Sequence, residues 1–77
     1  MIMKAVYIQV ENNDEAFYLN DFCIIMNDTG AGECNPVFDV ARETASALGL
    51  ELTCFENVPE PSSEGWDMRE VYDTVTA

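Results

Sequence analysis

Residues 16–28, AFYLNDFCIIMND, decide how this chain folds, because they can be laid out with either of two periods. Tyr18, Phe22, Ile24 and Met26 share one face of an extended chain, whereas Ala16, Leu19, Cys23 and Met26 form a stripe at helical spacing. The two aromatics, the Ile24–Ile25 pair and a hairpin-length turn before the segment favour a single strand paired with the one preceding it. A helix capped by Asn12 or Asn13 is the alternative.

Upstream, Val6, Ile8 and Val10 alternate with Tyr7 and Gln9, which predicts a strand from Met3 to Val10. The polar run Glu11–Glu15 breaks it, since Asn and Asp tolerate the backbone angles of turns. Downstream, NDTGAGECNP lacks periodicity and reads as a loop, with Asn35 and Pro36 opening a helix. Its glycines fit neither a phosphate cradle nor the ligand spacing of a calcium loop. Val37, Val40, Ala41, Thr44, Ala45 and Leu48 give that helix one apolar face, and Gly49 stops it. Leu50, Leu52 and Cys54 alternate with polar neighbours, predicting a strand that ends near Phe55 or Glu56. After the connection NVPEPSSEG, Met68, Val71, Tyr72 and Val75 share a face of a second helix, starting from Ser63 as its cap. The expected fold is α+β: one domain over residues 1–77, ordered ββαβα, with an antiparallel-type sheet covered on one face by helices.

Composition narrows the function. A chain of 77 residues that is 48% hydrophobic can bury one small core. Fifteen acids against three Lys and Arg leave a formal charge of -12, which repels nucleic acid and anionic lipid and attracts a basic protein surface. With no His, the commonest general acid/base and transition-metal ligand is missing, so no catalytic residue, metal site or cofactor is expected. Cys23, Cys34 and Cys54 are odd in number and widely spaced, as buried or incidental reduced thiols would be. Met1–Val10 shows no signal-peptide pattern and no apolar run is long enough to span a bilayer, so a cytoplasmic location is expected.

The acids are the one unusual feature. Glu64, Asp67, Glu70 and Asp73 recur every three residues, and on a helix such neighbours stand about 5–6 Å apart, near the spacing of phosphates along a strand. Ordinary solvated faces mix both signs, and only Arg69 interrupts this row. The expected partner-binding residues are therefore Glu64, Asp67, Glu70, Asp73, Glu56 and Glu60, with Trp66 as a candidate anchor that can equally plug the core. Glu11, Asp14, Glu15, Asp21, Asp28 and Glu51 can extend the surface.

In size, charge, lack of His and carboxylate spacing, the chain resembles the small acidic nucleic-acid-mimic inhibitors of phages and mobile elements, of anti-CRISPR or anti-restriction type. The resemblance rests on no diagnostic motif and implies a mode of action: a non-enzymatic inhibitor that blocks DNA binding by a CRISPR effector or another host-defence complex, in the host cytoplasm. A small acidic adaptor or immunity-type protein, binding a basic domain through an acidic patch with Trp66 and Tyr72, is the competing expectation.

Overall fold

The structure is a computed structural model describing residues 3–27 and 36–77. Strands β1 (Ala5–Val10), β2 (Glu15–Leu19) and β3 (Phe22–Asn27) are followed by helix α1 (Val37–Leu48), strand β4 (Leu52–Val58) and helix α2 (Met68–Val75). The sheet order is β3-β2-β1-β4. The α+β class is as expected, but residues 16–28 do not form one strand. They hold β2 and β3, joined at Asn20 and Asp21, whose φ angles of 51° and 71° are those of a two-residue hairpin turn. Asn and Asp are the side chains that best tolerate this left-handed region, which explains why the turn needs no glycine.

That extra turn corrects the sheet as well. Each connection reverses the chain, so β4 enters beside β1 after an even number of reversals and pairs with it in parallel. The β1–β2 and β2–β3 pairs are antiparallel, and the sheet is mixed. In the expected ββαβα order the last strand would have met β1 antiparallel.

The helices also divide between the two faces instead of sharing one. Val6, Ile8, Val10, Ala16 and Tyr18 pack against Met68, Val71 and Tyr72 of α2. From the opposite face, Ala5, Tyr7 and Phe17 pack against Val37, Ala41 and Ala45 of α1. Burial on both faces is what a central strand such as β1 requires, and its near-continuous apolar run AVYIQV satisfies it. The edge strand β3 is bulged at Cys23–Ile25 and leaves Phe22, Ile24 and Met26 exposed, although alternation placed them on the face of Tyr18. β4 runs past its expected end to Val58, helped by a bulge at Asn57, whose φ is 55°.

Gly49 ends α1 as expected: at φ 70° it lets its own N–H and that of Leu50 reach the Ser46 and Ala45 carbonyls. At its start, Pro36 occupies the cap position without a side-chain bond; the expected cap Asn35, like the GAG loop and Cys34, lies outside the described residues. The second helix begins four residues later than expected. Asp67 caps it, its Oδ1 accepting from the Glu70 N–H at 3.0 Å, while Ser63 Oγ donates to Glu70 at 2.6 Å. Gly65, at φ 75°, turns the chain just before. Asp67→Ala will lower stability by about 0.5–2 kcal/mol in urea denaturation, whereas Asp67→Asn, another good cap, will be close to neutral.

Candidate acidic interface

The late start of α2 leaves only part of the expected four-residue row on a helix. Only Glu70 and Asp73 stand on the helix; Asp67 is its extended cap, and Glu64 is exposed in the turn before it. Asp73 is held by Arg69 at 3.1 Å. Glu56, on β4, lies close enough to Tyr7 and Cys54 for its charge to help push both groups up. Glu64, Asp67, Glu70 and Asp73 thus follow one another through a turn, a cap and a helix, with Glu56 on β4 apart from them in the chain.

A different set is gathered instead. β1 and β4 run parallel, so their carboxyl ends finish together, and Glu11 N–H donates to the Val58 carbonyl at 2.8 Å. The chain then folds around Asn12, whose Oδ1 accepts from the Asp14 N–H at 2.9 Å. Its Nδ2 donates to Asp14 Oδ2 at 3.0 Å and to Glu60 Oε1 at 3.2 Å. Glu60 in turn donates its N–H to Glu11 Oε1 at 3.2 Å. Glu11, Asp14 and Glu60, distant in sequence, are thus tied into one acidic end of the sheet. Of the expected contact residues, Glu60, Trp66 and Asp67 belong to this end.

Next to it is an open cleft of about 230 Å³ between the end of β3 and the start of α2, lined by Asp14, Met26, Asn27, Trp66, Asp67 and Met68. Trp66 is half-buried and packs against the cluster beneath α2. Sequence reasoning named Glu11 and Asp14 only as an extension of the surface, and placed neither Met26 nor Asn27 in a contact site. Nothing local marks those two, since their place depends on β3 being a separate strand.

Cations do not offset these charges. Lys4 pairs with Asp21 at 3.9 Å, Arg42 with Asp39 at 3.9 Å and Arg69 with Asp73 at 3.1 Å. The sequence holds no fourth Lys, Arg or His. Asp21, expected only to extend the acidic surface, is exposed in the β2–β3 turn and works within the fold. It accepts a hydrogen bond from the Tyr72 hydroxyl, and its carbonyl accepts from Arg69 Nη1 at 2.7 Å.

Cys23 and Cys54 are exposed, the incidental and not the buried of the two expected states, and local desolvation pushes both thiols up and so disfavours the reactive thiolate. No cluster of three metal-binding side chains occurs among the described residues, and no helix there is long and apolar enough to cross a membrane. No family model, curated protein or solved structure matches this chain.

Proposed function

We propose that this chain is a non-enzymatic inhibitor that covers the nucleic-acid-binding surface of a basic host-defence protein, such as a CRISPR effector, and competes with DNA for it. The observation that carries this reading is the charge balance at the surface: three cations are already engaged by Asp21, Asp39 and Asp73, and no other is present to neutralise the acidic end formed by Glu11, Asp14, Glu60 and Asp67. Such a surface draws a basic partner by long-range attraction and repels nucleic acid itself. The region of contact proposed is the acidic end of the sheet in preference to the α2 row.

A competition assay tests this with labelled DNA and a panel of Cascade- and Cas9-type effectors. The protein is expected to displace DNA from at least one, with affinity falling at least about tenfold between 50 and 200 mM salt. Reversing Glu11, Asp14 and Glu60 to Lys together should abolish displacement, while reversing Glu64, Glu70 and Asp73 should weaken it less. Salt-independent binding, or indifference to both sets of reversals, would refute the mimic reading. The half-buried Trp66 beside the acids favours a second reading, an adaptor that docks on a basic domain without competing for DNA; loss of binding in Trp66→Leu with the reversals tolerated would select it.

A further inference from the structure

We infer that the cleft between the end of β3 and the start of α2 receives an arginine side chain of the basic partner, a proposal that rests on the reading above and names the contact that would anchor it. The cleft offers what a guanidinium needs from each direction. Asp14 and Asp67 supply negative charge from the β1–β2 turn and the α2 cap, and Trp66 lines the same cleft with an indole, a ring on which a flat cation can stack. Met26 and Met68 complete the wall with adaptable apolar surface for the aliphatic stem. Asp67 spends Oδ1 on the Glu70 N–H, and its full charge outweighs the partial positive charge of a helix start.

Asn27 is the independent sign of a missing ligand. It lies in the cleft wall, is only 6% exposed, and its Oδ1 accepts no hydrogen bond among the described residues. A buried acceptor without a donor costs stability, so its presence here calls for an explanation. The terminal torsion of an Asn carboxamide is soft, and turning it presents Oδ1 to a donor entering the cleft. A guanidinium carries five N–H donors in a plane and can serve Asn27 and a carboxylate together while stacking on Trp66. An ammonium is a compact, strongly hydrated point charge that gains less from an indole face. A phosphate or other anion is turned away by the two carboxylates.

Trp66 is the one tryptophan of the chain, so its fluorescence reports on this site alone. The full chain is titrated with acetyl-Gly-Arg-Gly-amide, with the Lys and citrulline versions of that tripeptide, and with agmatine. The arginine peptide should give a saturable change at millimolar concentration, the lysine peptide should bind at least about fivefold more weakly, and citrulline, which has the shape without the charge, should give none. Agmatine as tight as the arginine peptide would show that the guanidinium suffices; tighter binding of agmatine would favour a free small cation and overturn the assignment to a partner's side chain. Asp14→Asn with Asp67→Asn, which keeps the helix cap, should weaken the arginine response about tenfold with little change in Tm. Asn27→Leu should remove the response while raising Tm; a fall in Tm would mean that Asn27 is structural and would count against the proposal. Equal responses to all three tripeptides, or none, would overturn it. If the arginine peptide fails while DNA competition by the whole protein persists, the cleft assignment falls and the inhibitor reading stands.

Discussion

Raising the pH from 9 to 12 will unfold this protein in one cooperative step, and its tyrosines will ionise with the unfolding instead of before it. All three tyrosines of the chain are buried, at 4% exposure or less. Burial pushes Tyr18 and Tyr72 up to about 12; a bond to the Asp21 carboxylate adds to the effect at Tyr72. Tyr7 is raised further by burial and by its hydrogen bond to Glu15. The fold favours the neutral phenol, whereas the unfolded chain releases those protons near pH 10. The stability these groups contribute is therefore complete below pH 10 and is lost as pH rises towards 12. Each raised tyrosine then costs about 1.4 kcal/mol per pH unit, so three together remove about 4 kcal/mol per unit. A domain of this length has only about 4–12 kcal/mol in hand. The raised thiols of Cys23 and Cys54 begin the decline from about pH 9, and every new negative charge adds to the self-repulsion. Absorbance at 295 nm and far-ultraviolet circular dichroism should change together, with a midpoint between about pH 10 and 12. Gradual phenol titration centred on pH 10, with the fold retained, would contradict the burial of all three rings.

Tyr72→Ala will remove a large share of the protein's stability. Tyr72 is 2% exposed, stacks on Tyr18 with ring centroids 4.0 Å apart, bonds to Asp21, and lies 5.2 Å beneath the Arg69 guanidinium. It thereby ties α2 to β2 and to the β2–β3 turn. Emptying an aromatic core site costs about 3–5 kcal/mol, a large share of what so small a domain has. At about 4–8 °C per kcal/mol for domains of this size, the melting temperature should fall by roughly 12–40 °C. Tyr72→Phe keeps the ring and the stack and loses only the hydroxyl bond, so about 0.5–1.5 kcal/mol is expected. If both substitutions cost the same, the hydrogen bond and not the packed ring would be what holds α2.

The alkaline transition and the Tyr72 substitution probe the same arrangement, two small clusters on opposite faces of one sheet. Its parts were legible to different degrees. Val37 to Leu48 carried both an apolar stripe and a Gly stop, so periodicity and chemistry agreed and α1 was read directly. At Asn20–Asp21 the turn was written in residues that also suit a helix surface, and without Gly it left no break in the apolar pattern. Ser63 is the cap that the sequence predicts; the turn at Gly65 delays the helix to Asp67, and Ser63 bonds to the Glu70 side chain instead.

The sequence by itself determined the local terms: the helical and extended periods, the stop at Gly49, the small size of the core and the large excess of negative charge. These depend on neighbours a few residues apart. The tertiary structure alone decided the sheet parity, the division of the helices between two faces, and which acids stand together. One added reversal at Asn20–Asp21 made β4 parallel to β1, and parallel strands end on the same side. That is why Glu11, Asp14 and Glu60 meet around Asn12 beside Trp66 and Asp67. The regular row from Glu64 to Asp73 was divided by a cap and an ion pair.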